Sequence, residues 1–362
     1  MKILLWPTHY LPYIGGLEVM VHSLALQLKK QGHEVLVIAN AEEYAEFFIE
    51  EIKVYTFPFI KALGVYNLIL IKKTLDKIHE IFDSFLPDIV NVHGWFECFC
   101  FYQTRILSKK KIPLCITIHG LLEQKYYQTE ACVKLWSMAG GINTVSNALI
   151  HSLKQQQCSH SSIRVIYNGL SPSSHPIAPL QCHPSQLLMV GRLTEEKCFD
   201  VAFHALKILI KNRSDIKLRL VGGGFLYQDL LRLKEELGLD PWIEMTDYVP
   251  PYKVRQYIDE ASLILVPSYY ESFCLVALEA ALRSRPVVAS SVYGLKEVIE
   301  HEKTGLLIEP KNPLLLAETI EKLLSSPQKM VEMGDAARQR ALELFSIETT
   351  AKNYLEMYRS LL

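Results

Sequence analysis

The chain has 362 residues, long enough for two α/β domains of ordinary size, and 49% of them are hydrophobic, so each can bury a core. Its 38 basic and 39 acidic residues leave a net charge of −1, which argues against a general nucleic-acid binder. Residues 1–170 stand at +2 and the remainder at −3, an asymmetry that permits peripheral membrane contact without predicting it.

The opening Met1-Lys-Ile-Leu-Leu-Trp-Pro7 has a short apolar run that Pro7 interrupts, which reads as a first strand over residues 3–6 and is too short for a signal peptide. A loop from Pro7 to Gly16 follows. Leu17, Met20, Val21, Leu24, Ala25 and Leu28 then recur at helical spacing, and Gly32 stops that helix. Further strands are expected at 35–39, 52–57, 89–92, 114–118 and 142–145. This alternation predicts a parallel sheet with helices on both faces.

Residues 171–184, rich in Pro and Ser, are the best linker candidate. A second alternating unit begins beyond them, with strands expected at 187–190, 218–221, 243–245, 263–266 and 287–289. A last helix, about 349–362, carries Tyr354, Met357, Tyr358 and Leu361 on one face. The expected domains are therefore 1–170, 185–345 and the final helix 346–362. Two doubly wound units predict a cleft faced by strand C-termini. No run approaches the ~20 apolar residues of a spanning helix, so any membrane contact is expected from the surface. The eight cysteines show no Cys-x-x-Cys spacing, only Cys98 and Cys100 are close, and neither zinc nor a disulfide framework is supported. Such cysteines fit a cytoplasmic protein.

Candidate chemistry gathers in the second half. In Pro267-Ser-Tyr-Tyr-Glu271-Ser-Phe-Cys-Leu-Val-Ala-Leu-Glu279-Ala-Ala-Leu282, a strand ends at Pro267 and a helix runs over 275–282. Glu271 falls in the loop and Glu279 two turns into the helix, beside free N–H groups suited to a phosphate. A solvated helix face is the plain alternative, less comfortable because apolar residues surround both carboxylates. In Val190-Gly191-Arg192-Leu-Thr-Glu-Glu-Lys197-Cys198, two cations after a glycine suit a diphosphate, Arg192 as a planar fork and Lys197 as a point charge. The alternative is a surface loop whose lysine pairs with Glu195 or Glu196. Val221-Gly-Gly223-Gly permits close approach of a ligand, and a tight turn explains it equally well. Tyr248-Val249-Pro250 is either a packing aromatic or a contact to a base. In the first half, Thr117-Ile-His119-Gly120 ends an apolar strand, and Gly15-Gly16-Leu17-Glu18 opens the first helix. Asn143-Thr-Val-Ser146, Val165-Ile-Tyr-Asn168-Gly169 and Thr304-Gly305 to Pro310 complete the set.

Taken together, these segments resemble the retaining nucleotide-sugar glycosyltransferases of family 4, also called glycosyl transferases group 1, which have two Rossmann-like domains in the GT-B arrangement. The resemblance covers nearly the whole chain, with the specific motifs in the C-terminal half. It implies that Glu279 binds both ribose hydroxyls and Glu271 the donor sugar. It places the backbone of Ser272, Phe273, Cys274 and Leu275 against sugar and phosphates. Gly191, Gly223, Tyr248 and Val249 fall in the nucleotide pocket, and Gly16 at the first helix start. His119 is expected to hydrogen-bond the donor sugar, and the C-terminal helix to return to the first domain. Cys198 and Cys274 stand where the family usually has glycine. No Asp-x-Asp occurs, so Arg192 and Lys197 are expected to neutralise the diphosphate without a metal or other cofactor.

The expected activity is transfer from a UDP- or GDP-sugar to a saccharide or lipid-linked saccharide, in cell-envelope polysaccharide or lipopolysaccharide synthesis, in the cytoplasm or at the inner face of the membrane. A nucleotide-sugar 2-epimerase and a non-catalytic nucleotide-sugar-binding protein are the alternatives. The stretch 63–71 with Lys72-Lys73, and Lys109-Lys110-Lys111, are the segments that a bilayer would meet, or else ordinary faces.

Overall fold

The structure is a computed structural model, and it describes residues 1–13, 15–94, 97–120, 129–155, 160–172 and 175–362. The chain divides into two compact units: Met1–Ser171 together with Ile347–Leu362, and Pro172–Ser346.

In unit 1 the elements run β1 (Lys2–Pro7), α1 (Gly16–Lys30), β2 (Glu34–Asn40), β3 (Ala45–Ile49), β4 (Ile52–Phe57), α2 (Phe59–Gly64), α3 (Leu68–Phe85), β5 (Ile89–His93), α4 (Glu97–Leu107), β6 (Leu114–Ile118), α5 (Glu130–Met138), β7 (Gly141–Thr144), α6 (Asn147–Gln155) and β8 (Ile163–Val165). Its sheet has the order β3-β4-β2-β1-β5-β6-β7-β8. The central strands are apolar on both faces, as a sheet covered by helices on both sides requires; Ile3, Leu4 and Leu5 are fully buried. The sheet is not wholly parallel. Strand β3 pairs antiparallel with β4, Ile49 opposite Ile52, and its residues alternate between half-buried and exposed. An edge strand buries only one face, so Ala45-Glu-Phe-Phe-Ile49 lacks the continuous apolar run that marks its neighbours.

Unit 2 runs β9 (Ser185–Val190), α7 (Phe199–Leu209), β10 (Ile216–Val221), α8 (Tyr227–Glu236), β11 (Ile243–Thr246), α9 (Pro251–Glu260), β12 (Leu263–Val266), α10 (Leu275–Leu282), β13 (Val287–Ser290), α11 (Leu295–Val298), β14 (Leu306–Ile308), α12 (Pro313–Leu324) and α13 (Pro327–Leu344). Its sheet, β11-β10-β9-β12-β13-β14, is parallel throughout. Strand β14, three residues long, has no counterpart among the expected strands. Part of the Pro/Ser-rich segment is bound to this unit: the carbonyls of His175, Pro176 and Ala178 accept hydrogen bonds from Arg283 and Arg285, while positions 173 and 174 lie outside the described residues.

The chain then returns to unit 1 as α14 (Ile347–Arg359). The Thr350 hydroxyl donates to the Tyr167 carbonyl (2.9 Å), and Tyr354 and Tyr358 are buried against the sheet. Asn91 Nδ2 donates toward Tyr358 OH (3.1 Å), and Asn143 Nδ2 toward Tyr354 OH (3.3 Å).

Candidate functional site

In unit 2 the strand order reverses between β9 and β12, and the crevice outside their C-terminal ends is where open α/β sheets bind ligands. Four loops leave adjacent strands there. After β9 the chain passes Gly191, exposed Arg192 and a single 3₁₀ turn, Glu195–Lys197. The Leu193 N–H donates to the Gly223 carbonyl (2.9 Å), which fixes this loop to the glycine turn after β10. The neighbouring Gly222 has φ +141°, and a Cβ on it would overlap the Gly191 carbonyl oxygen. The glycine run therefore serves close approach of two loops of the protein itself. Gly223 lies under the ring of Tyr248, which follows β11 and is about half exposed; Val249 beside it is half-buried.

The fourth loop, between β12 and α10, holds both glutamates. Lys197 Nζ donates to Glu271 Oε1 at 2.6 Å, and Ser268 Oγ to the same oxygen at 3.1 Å. The surface alternative, in which Lys197 pairs with Glu195 or Glu196, is therefore corrected: its ion pair is with a residue in another loop. Burial pulls the Lys197 ammonium down, but Glu271, together with Cys274 and Glu196, more than offsets this and Lys197 stays above its ordinary value. An ammonium has three donors, so two remain after this bond. Glu271 Oε2 receives no hydrogen bond from a described residue. The loops are tied further by Tyr269 N–H to the Glu196 carbonyl (3.0 Å) and Gly294 N–H to the Glu271 carbonyl (3.1 Å).

Glu279 is the only charged residue of α10. Burial pushes its carboxyl up to about 7, with Arg255 opposing weakly, and it makes no hydrogen bond among the described residues. Glu279 is half-buried, and a carboxyl whose pKa is raised without a donor from the protein is a candidate ligand contact. The start of α10 sits nearby, with Cys274 at its N-cap. Phe273 turns inward onto Phe345, ring centroids 5.4 Å apart, and Ser272 is half-buried. Both Cys198 (φ +50°) and Cys274 (φ +81°) hold left-handed backbone that glycine adopts freely, at a cost of roughly 1–2 kcal/mol each. Burial also raises the Cys274 thiol, so it is no thiolate nucleophile.

The remaining candidates belong to unit 1. Gly16 begins α1, but the Glu18 carboxylate folds against Gly15 at the same helix end, so an anion already faces those N–H groups. His119 follows β6. Asn91 Nδ2 donates to His93 Nε2 (3.0 Å), so His93 presents its Nδ1 proton to His119 Nε2 (3.1 Å). His119 is then an N–H donor through Nδ1. Burial depresses it to about 3, so it is neutral and no general base near pH 7.

Reading from sequence missed two supports of this arrangement. Ser268, buried to 1% exposure, lay within the quoted motif without a role. Gly294 carried no signal: its need arises because a Cβ would overlap the Ser272 carbonyl oxygen, a contact distant in sequence.

Comparison with known proteins gives the family and the fold. The family described as Glycosyl transferases group 1 matches residues 174–340, and Glycosyltransferase Family 4 matches 14–174. A D-inositol 3-phosphate glycosyltransferase of Thermobispora bispora is 32% identical over 304 residues, 75% of this chain and 70% of that protein. An uncharacterized glycosyltransferase of Methanocaldococcus jannaschii is 28% identical over 389 residues, 99% of this chain and 98% of the other. Among solved structures, Anabaena HepE in complex with UDP and glucose matches with a TM-score of 0.82 at 22% identity, over 100% of both chains. The chain belongs to the group 1, family 4 glycosyltransferases, and its two Rossmann-like units are of the GT-B class.

Proposed function

We propose that this protein is a retaining, metal-independent hexosyltransferase that moves a sugar from a UDP- or GDP-sugar to a saccharide or lipid-linked saccharide of the cell envelope. The observation that carries the reading is Glu279: a half-buried carboxyl raised to about 7 and lacking a donor from the protein suits two adjacent ribose hydroxyls. Around it, Tyr248 and Val249 are assigned to the base. Arg192, the free donors of Lys197 and the backbone from Ser272 to Leu275 are assigned to the diphosphate, and Glu271 Oε2 to the sugar hydroxyls.

In the reaction the bond from the anomeric carbon to the diphosphate oxygen breaks and its electron pair leaves with the diphosphate. Arg192 and Lys197 take up that charge as it develops. The acceptor oxygen bonds to the same face of the sugar, and its proton passes to the departing diphosphate. Losing one such preorganised donor costs about 2.7–4 kcal/mol at the transition state. In unit 1, His119 offers an N–H rather than a base.

The test is calorimetry with UDP, GDP and ADP, followed by product analysis with EDTA present. One nucleotide binding at micromolar affinity, the affinity falling in Arg192→Ala, and transfer surviving EDTA are the expected results. No binding by any of the three sinks the reading; product formed from donor alone points to an epimerase.

A further inference from the structure

The corner between α2 and α3 in unit 1 exposes an unusual run of apolar side chains. Val65, Tyr66, Leu68 and Ile69 are 70%, 81%, 75% and 71% exposed. Isolated apolar residues at a surface need no explanation, but a contiguous cluster of large ones does. The corner is built rather than frayed: Asn67 caps α3, its Oδ1 accepting from the Leu70 N–H at 3.0 Å.

Charge along α3 is ordered from this tip. Lys72 and Lys73 stand one turn beyond Leu68 and Ile69, roughly 6 Å along the axis. They are exposed and form no ion pair among the described residues. Asp76 follows at roughly 12 Å and Glu80 at roughly 18 Å, the latter paired with Lys77. Apolar, then cationic, then anionic is the sequence of layers met on leaving an anionic bilayer: acyl region, headgroup phosphates, water. The exposed Tyr66 has the amphipathic ring that favours the interface. Beside the corner, a cavity of about 410 Å³ has apolar walls from Tyr44, Phe57, Pro58 and Leu70, and its charged lining is mixed, Lys61, Lys73 and Lys77 with Glu42 and Glu43. Among the described residues no helix is long and apolar enough to cross a membrane.

We infer that the α2–α3 corner docks on an anionic lipid surface, Val65 to Ile69 entering the acyl boundary and Lys72 and Lys73 meeting the phosphates. This goes beyond the transfer reaction and is tested without it. Full-length protein is spun with vesicles of phosphatidylcholine, or of equal parts phosphatidylcholine and phosphatidylglycerol. Leu68→Ser/Ile69→Ser and Lys72→Glu/Lys73→Glu, both at exposed positions, are compared after checking an unchanged melting temperature. Binding is expected only to the anionic vesicles and is weakened by salt. It should fall about thirtyfold or more in the lysine variant, from roughly fivefold per lysine near an anionic surface, and fall as well in the serine variant. Equal binding by wild type and variants, or none by the wild type, overturns the inference. So does a dimer without vesicles that the serine variant abolishes, which would assign the patch to a second copy of the chain. Nucleotide binding, read in parallel, is expected to stay unchanged in both variants.

Discussion

Glu279 concentrates the chemistry of the site in one carboxyl. With its pKa raised to about 7 against an ordinary value near 4.5, the folded protein holds more protons than the unfolded chain between those limits. Its contribution to stability is therefore present at low pH and is lost as pH rises through about 7. Hydrogen bonds from ribose favour the charged form, so nucleotide binding near pH 7 should release a proton. Calorimetry in buffers of different ionisation enthalpy reads that proton directly, and its absence removes Glu279 from the ribose. Glu279→Gln should weaken the nucleotide by about 1.5–3 kcal/mol, the worth of hydrogen bonds to a charged group. The same variant should lose the stability decrease between about pH 4.5 and 7. The identities of Glu271, Glu279, Arg192 and Lys197 were legible as a motif, because spacing along one chain records them. The pairing of Lys197 with Glu271 was not, since 74 residues separate them and only the adjacency of β9 and β12 brings them together. Likewise, Cys198 and Cys274 were visible as departures from glycine, but their positive φ is a property of the folded loops.

Among the elements, the buried strands of both sheets were legible because continuous apolar runs mark strands covered on both faces. Strands β3, β8 and β14 escaped: β3 is a half-exposed edge, and β8 and β14 are only three residues long. The polar seam between α14 and β5–β7 escaped as well, since Asn91, Thr117 and Asn143 lie inside runs that read as core. Thr117 Oγ1 lies 3.0 Å from Asn91 Oδ1 and 2.8 Å from Asn143 Oδ1. Asn91 Nδ2 has three acceptors within reach, His93, Thr117 and Tyr358, for two N–H bonds. Removing one acceptor therefore leaves the amide satisfied, whereas removing the amide strands several buried groups. Tyr358→Phe should cost about 0.5–1.5 kcal/mol, and Asn91→Leu about 3 kcal/mol or more, at 1–3 kcal/mol per orphaned group. Urea unfolding of the two variants checks the order; equal losses would mean that the seam is not a hydrogen-bonded network.

For the whole molecule, the division of the chain is asymmetric. Unit 2 is one continuous stretch, Pro172–Ser346, with its own core around Phe203, Leu218 and Leu263. Unit 1 is made of two pieces. A fragment of residues 172–346 should accordingly unfold cooperatively by itself. Residues 1–171 alone should not, because without α14 the apolar surface that Ala351, Tyr354, Leu355, Met357 and Tyr358 bury in unit 1 is exposed to water. Cooperative melting of 1–171 would show that the helix is an accessory.

The same discontinuity has a consequence during translation. The ribosome makes the sheet of unit 1 first, but the helix that closes it emerges only after all of unit 2. At ~5–20 residues per second that interval is roughly 10–35 s. For that time the nascent sheet carries an open groove lined by buried-type polar groups, long enough for a chaperone to bind there.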